Sequence, residues 1–376
     1  MRVAFVHEWL VSFAGSERVL AAALELFPGA PVYTLVHDPA AVAATEIERH
    51  PIHTSFIQRA PWGRTHHRAY LPLMPLAVER LDLGDYDVVI SSSHAVAKGV
   101  LTRADQLHIS YVHSPMRYAW DLQEQYLAGL GRVQGAIARA ILHYLRIWDA
   151  ATANRVDVFV ANSHYIAGRI RKTYRRETHV IYPPVDVERF DVRDRRDDHY
   201  VTVARFVPYK RVDVIVEAFT RLGLPLVAVG DGPDRRAVEQ RAGPNVRLVG
   251  EQTEAAVKDY VERAKAFVFA AEEDFGIAPV EAQAAGVPVI AYGRGGVTES
   301  VVPGETGLFF DAQTPESLME AVRRFESAEG GFDRVRIRQN AERFSKARFQ
   351  REFRELTERE WHRFRTERRR EVVVVP

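Results

Sequence analysis

A chain of 376 residues with 47% hydrophobic and 27% charged content can bury a full core and is long enough for two domains. Its formal net charge of +1 creates no global field for nucleic acid, and no apolar run approaches the length of a membrane span. Cysteine is absent, which excludes a disulfide framework and a thiolate zinc site, and the opening MRVAFVHEW enters a strand rather than a secretory leader, so a cytoplasmic protein is expected.

Residues 2–7 read as a short apolar strand. Ser16 stands as the N-cap of a helix over 16–27, and Gly15 before it lets the backbone approach a ligand, although an ordinary strand, turn and helix accounts for the same residues. Further strands are expected at 32–36, 87–91, 107–112 and 157–163, and this alternation with helices implies a parallel sheet. Residues 60–76 mix Trp62, Arg64, His66, His67 and Arg68 with Leu and Met. They read either as a loop folded onto its domain or as a surface for an anionic membrane. Asp85-Tyr86-Asp87 precedes the apolar run 88–90, which puts it at the amino end of a strand, opposite the edge where such sheets bind ligands. It reads as a solvated turn rather than a metal motif. The strand 107–112 ends in HSPMRYAW at 113–120. A lone His in a sheet protein is usually structural, but His113 leaves a strand terminus beside Pro115, Arg117 and two aromatics, which marks a site.

Residues 182–186, Tyr-Pro-Pro-Val-Asp, break all periodicity, and 191–198 is polar and free of strand pattern, so the domain junction is placed here. The expected division is 1–183, 184–350, and a terminal helix with its tail over 351–376. The second half restarts with a strand at 200–204. Arg205 and Lys210 then flank a strand-to-helix turn, putting two cations beside a helix N-terminus. The strand 226–229 leads into Gly230-Asp231-Gly232-Pro233, which lacks the third glycine of a dinucleotide fingerprint. Strands at 246–250 and 266–270 precede the densest stretch, 272–300. There Glu273 and Glu281 flank Asp274-Phe275-Gly276, a helix begins near Pro279, and a second glycine loop at 293–296 follows the strand 289–291. Two such loops, each followed by a helix N-terminus that favours anions, fall at one edge of a parallel sheet. Residues 344–370 form one charged amphipathic helix whose apolar stripe is Phe349, Phe353, Leu356 and Trp361.

Glu273, Phe275, Gly276 and Glu281 in this arrangement resemble glycosyltransferase family 4, the retaining sugar transferases of GT-B fold. The resemblance implies an α/β architecture of two Rossmann-like domains with parallel sheets facing across a cleft, the terminal helix crossing back to the first. It implies a nucleoside diphosphate sugar as donor substrate and no cofactor. Glu273 and the amides after it, including Ile277, would hold the donor sugar, and Glu281 the ribose. Arg205 and Lys210 would grip the pyrophosphate, Gly15 and Ser16 would offer amides to it, Val249 would meet the base through its backbone, and His113 would border the reaction centre. Where many members carry two glycines this chain has Ala14-Gly15, and Pro-Pro-Val-Asp replaces their Asn-Gly-Val-Asp. The HEW opening, the HSPMRYAW run and that junction resemble bacterial mannosyltransferases of O-antigen type. GDP-mannose as donor follows from that likeness, and the basic and aromatic loop at 62–76 leads to the expectation of a glycan acceptor, lipid-linked at the inner membrane face. Trp62, Arg64, Arg68 and Arg117 would lie on the acceptor or membrane side. Arg205, Lys210 and the helix N-termini near Ser16 and Thr298 can replace a metal ion's charge at the pyrophosphate, so no divalent metal is expected, and nucleic acid is not an expected partner. A UDP-sugar-dependent transferase, a nucleotide-sugar 2-epimerase and a non-catalytic nucleotide-sugar-binding protein are the alternatives.

Overall fold

The computed structural model describes residues 1–376 apart from 122, 128–129, 329–330 and 374–376. The chain divides into two compact units, Met1–Tyr182 with Phe349–Pro376, and Pro183–Arg348.

The first unit is built on seven parallel strands: β1 Val3–Leu10, β2 Val32–His37, β3 Ile52–Thr54, β4 Val88–Ser93, β5 Leu107–Val112, β6 Val158–Ala161 and β7 His179–Val180. Their order is β3-β2-β1-β4-β5-β6-β7, so the direction of winding reverses between β1 and β4. Ligand crevices open outside the carboxyl ends of strands at such a reversal. Every residue of β4 and β5 is buried, as expected for strands covered on both faces. The serines of β4 are therefore an anomaly for a central strand, and each must find a partner inside the protein.

The terminal helix spans Lys346–Val373 and belongs to this unit from Phe349 onward. Phe349, Phe353 and Leu356, at helical spacing, are 0%, 1% and 3% exposed and share a core with Phe5, Val19 and Tyr111, while Trp361 packs at its margin. The first helix spans Gly15–Leu24, and its N-cap is Ala14. Ser16 is thus inside the helix rather than capping it. The capping work falls to Glu17, whose carboxylate accepts the Ala14 N–H at 3.0 Å and the Ser16 hydroxyl at 3.0 Å.

The second unit carries six parallel strands: β8 Tyr200–Val203, β9 Leu226–Val229, β10 Val246–Gly250, β11 Ala266–Phe269, β12 Val289–Tyr292 and β13 Gly307–Phe310. Their order, β10-β9-β8-β11-β12-β13, reverses between β8 and β11. The helix expected near Pro279 begins two residues earlier and covers Ile277–Ala284, because Gly276 already supplies the break that precedes it.

Lys98, in the turn after β4, is buried in the first unit. Its ammonium meets Asp149 Oδ1 at 2.7 Å, the Asp149 carbonyl at 2.7 Å and Thr152 Oγ1 at 2.8 Å. The other oxygen of Asp149 accepts from Trp120 Nε1 at 2.8 Å and the Tyr174 hydroxyl at 2.9 Å. Burial pushes the Lys98 pKa down despite its partner, so this pair holds together against a large desolvation cost. Removing one member strands the other. Lys98→Met is expected to lower the unfolding free energy by about 3–5 kcal/mol in urea titrations, and an unchanged midpoint would show that Asp149 does not depend on this ammonium.

Candidate functional site

In the second unit the sequence motifs meet at the carboxyl edge of the sheet. After β11 the chain runs out to Glu273, which forms an isolated parallel bridge with Gly295 in the loop after β12. The Gly296 N–H donates to the Glu273 carbonyl at 2.8 Å. A Cβ on Gly295 would stand 2.5 Å from the Glu273 carbonyl oxygen, and one on Gly296 would stand 2.4 Å from the Asp274 oxygen and the Phe275 Cα. No side chain fits at either place, so glycine is what allows the two loops to touch.

Lys210 lies in a short 3-10 turn, Pro208–Lys210, between β8 and the helix Val212–Leu222. Its ammonium forms an ion pair with the Glu273 carboxylate. Arg205, nearer the end of β8, is exposed and forms no ion pair among the described residues. The loop bearing it is braced from beside: the Phe206 N–H donates to the Asp231 carbonyl at 2.9 Å, and a Cβ on Gly230 would fall 1.9 Å from the Ala204 carbonyl oxygen. The Gly-Asp-Gly-Pro run thus serves as a buttress for the Arg205 loop. Asp231 is occupied locally, accepting from the Gly232 N–H at 2.6 Å and Arg235 Nη1 at 2.7 Å.

Glu281 follows on the helix Ile277–Ala284, where Oε1 accepts from Arg189 Nη2 at 2.9 Å. Arg189 carries no signal in the sequence. It lies 92 positions away, just past the Pro-Pro-Val-Asp junction, and no local pattern announces it. The Phe275 ring is 2% exposed and packs on Phe344 at 5.4 Å between centroids, so only its backbone faces outward chemistry. Ile277 opens the helix half-buried. Val249 sits in β10, and its carbonyl already accepts from Gln252 Nε2 at 2.6 Å. The helix after the second glycine loop is only four residues, Val297–Ser300, so its dipole offers an anion less than a full helix would.

In the first unit a chain of polar groups crosses the reversal point between β1 and β4. His7 and Ser92 are direct register partners on those strands. Glu17 Oε1 faces His7 Nε2 at 3.5 Å, His7 Nδ1 meets Ser92 Oγ at 3.0 Å, and Ser92 Oγ meets His113 Nε2 at 2.8 Å. The Asn162 amide donates to the His113 carbonyl at 3.0 Å and fixes its backbone. Burial would raise the Glu17 carboxyl, but the His7 ring and the amide of Ala14 outweigh it and hold the pKa at about 2. Glu17 is then an acceptor only. Ser92 can donate one proton and accept another, so its hydroxyl links the His7 and His113 rings through both contacts.

Beside this chain lies a second buried carboxylate. Glu8 Oε1 accepts from the N–H groups of His94, Ala95 and Ala97 at 2.9, 2.8 and 3.1 Å, and Oε2 stands 3.1 Å from His94 Nδ1. Burial opposes its charge, yet His94 and His7 hold its pKa well below the usual carboxylate range. Burial likewise works against the charged form of His94, but Glu8 more than compensates and raises it. Gly15 and Ser16 lie in the first turn of the helix that carries Glu17. Arg117 begins the short helix Arg117–Trp120 and is half-buried. Within 60–76 the segment divides: His67 is buried against Trp9 at 5.0 Å between ring centroids, whereas Trp62 is 76% exposed and Arg64 and Arg68 are exposed.

Residues 13–189 match the family described as Glycosyltransferase Family 4, and residues 187–344 match Glycosyl transferases group 1. The chain belongs to glycosyltransferase family 4. It is similar to the GDP-mannose-dependent alpha-(1-6)-phosphatidylinositol monomannoside mannosyltransferase of Mycolicibacterium smegmatis, 29% identical over 201 residues that cover 45% of this chain and 53% of the relative. Among solved structures, sucrose-phosphate synthase from Thermosynechococcus elongatus aligns with a TM-score of 0.73 at 17% identity, over 96% of this chain and 100% of that one. Anabaena HepE in complex with UDP aligns at 0.69 and 15% identity, over 95% and 100%. These likenesses establish the fold, GT-B. The chain spans about half the length of the first curated relatives it matches, at 50%, 62% and 51%.

The polar chain in this family 4 member carries its own acid sensitivity. Burial, with the His94 and His7 rings adding to it, pushes the His113 pKa down from 6.5 to about 3. Between those values the unfolded chain binds a proton that the folded one refuses, so His113 makes stability fall as pH drops through that window. His113→Asn is expected to flatten the loss by up to about 1.4 kcal/mol per pH unit, read from urea unfolding at stepped pH. A slope identical to that of the natural chain would mean that His113 is protonated in the folded state.

Proposed function

We propose that the chain is a retaining glycosyltransferase that moves a sugar, mannose from GDP-mannose, onto a lipid-linked saccharide or related glycan at the inner face of the membrane. The observation that carries this reading is the meeting of Arg205, Lys210, Glu273 and the two glycine loops at one sheet edge of the second unit. As the bond from the sugar C1 to the diphosphate oxygen breaks, negative charge grows on the leaving phosphate. Arg205 and Lys210 stabilise that charge more than the ground state, which is what lowers a barrier. Glu273 holds the ammonium of Lys210 in place and keeps a carboxylate for the sugar hydroxyls. Glu281, steadied by Arg189, takes the ribose. The acceptor oxygen bonds to C1 from the face the phosphate leaves, and its proton passes to the departing phosphate oxygen.

Mannose is supported by the HEW, HSPMRYAW and Pro-Pro-Val-Asp likenesses and by the donor named for the Mycolicibacterium relative. That relative's phosphatidylinositol-based acceptor also supports a lipid-linked one, and the exposed Trp62, Arg64 and Arg68 support contact with the membrane. A UDP-sugar donor is the second reading, favoured by the UDP complex of HepE. The reading requires no divalent metal. Arg205 and Lys210 supply cationic charge, and Asp87 of the Asp85-Tyr86-Asp87 triplet accepts the Arg2 N–H at 2.6 Å, ahead of β4 at the sheet's amino edge.

Lys210→Ala should reduce turnover roughly 100- to 1,000-fold with an unchanged circular dichroism spectrum, and near-normal turnover would remove Lys210 from the chemistry. A panel of nucleotide sugars assayed in excess EDTA should give the fastest transfer from GDP-mannose, with the anomeric configuration retained. Faster use of a UDP-sugar would replace the donor. Loss of activity on chelation, restored by magnesium or manganese, would end the metal-free mechanism.

A further inference from the structure

The long helix Arg132–Thr152 of the first unit has an outer face that none of the chemistry above uses. Its inner face is conventional: Gly135, Leu142 and Leu145 are buried, and Ile141 and Trp148 pack at the edge of the same core. The outer face is not. Val133, Ile137, Tyr144 and Ile147 are 73%, 57%, 46% and 60% exposed, and Ala140 between them is exposed too. The steps between these five residues alternate four and three. At 3.6 residues per turn that spacing gathers them into one stripe along the helix, on the side away from the core. Arg132, Arg139 and His143 are exposed and flank the stripe, and neither arginine forms an ion pair among the described residues. From Arg132 to Trp148 the sequence has no Asp or Glu.

An apolar stripe of this spacing could pack against another helix or lie in a lipid interface, and charge decides between them. Pairing two copies of this helix would bring arginines together with no carboxylate on either to offset them, which costs energy on both sides of the seam. An anionic bilayer matches both features at once: the aliphatic side chains and the Tyr144 ring enter the boundary between headgroups and acyl chains, and the guanidinium groups meet lipid phosphates. Among the described residues no helix is long and apolar enough to cross a membrane, so the contact is one that lies on the surface. We propose that the outer face of Arg132–Thr152 docks the protein on an anionic lipid bilayer. This inference does not depend on the sugar-transfer reading, and it names an element apart from the loop at 60–76.

The test is co-sedimentation of the full chain with vesicles of phosphatidylcholine containing roughly a third phosphatidylglycerol, beside vesicles of phosphatidylcholine alone. The natural chain should bind the anionic vesicles at least about tenfold more tightly, and high salt should weaken that binding. Ile137→Glu with Ile147→Glu, and separately Arg132→Gln with Arg139→Gln, should each lose roughly tenfold or more in partitioning. Both pairs of side chains are exposed, so melting temperatures should stay as in the natural chain. No binding, equal binding to neutral vesicles, or unchanged binding by the two double variants overturns the proposal. So does a loss confined to Trp62→Ala, which would place the contact in the loop instead. A dimer seen by sedimentation and abolished by the glutamates, without vesicle binding, would assign the stripe to a second copy of the chain and overturn it as well.

Discussion

The second unit's site depends on a backbone contact in which side chains have no room. Glu273 and Gly295 bridge, Gly296 donates to the Glu273 carbonyl, and any Cβ on either glycine would overlap the opposing main chain. Because the contact is made by main chain, it fixes the backbone from which the Glu273 side chain reaches its ion pair with Lys210. The same excursion ends at Gly276, where the helix bearing Glu281 begins. On the far side of the reversal point the Arg205 loop leans on the loop after β9 in the same manner, main chain against glycine. The charged groups are thus held by frames that tolerate almost no change in volume.

The first unit solves a different problem. Two carboxylates, Glu8 and Glu17, are buried where parallel strands leave little polar surface. Each remains ionised because hydrogen-bond donors surround it, main-chain amides for Glu8 and an amide, a hydroxyl and an imidazole for Glu17. The serines of β4 belong to the same arrangement, Ser92 between two imidazoles and Ser93 donating to Glu8 at 3.1 Å. The register of β1 against β4 brings His7 level with Ser92, and a slip of one residue would break the chain of contacts.

Much of this architecture was legible in the amino-acid order. The apolar runs 107–112, 226–229 and 246–250 coincide with their strands to the residue, because apolar runs bounded by turn residues leave little choice. Glu273 and Glu281 could be found because their signal is local, with Phe275-Gly276 between them. The polar relay could not. His7 and Ser92 are 85 positions apart, and Arg189 and Glu281 are 92 apart. Such pairs exist only through strand register and packing, which periodicity does not encode. The cap at Ala14 differs from the expected Ser16 for a related reason, since Ser16 has the right chemistry for an N-cap and only the reach of Glu17 shows that the turn begins earlier. Short β7, two residues long, offers no period to detect.

The terminal helix has a consequence for biosynthesis. Phe349 and Phe353 stack on each other, meet Tyr111 edge-on at 6.0 and 6.2 Å between centroids, and fill the floor beneath β1 and β5. A ribosome releases the chain from its amino end, so the first unit leaves the tunnel with that floor open and an apolar surface facing water. The second unit, contiguous from Pro183 to Arg348, has its whole core in hand before those aromatics appear. Order of synthesis and order of completion are therefore inverted: the half made first is closed last, and throughout that interval it is the half that needs shielding from aggregation.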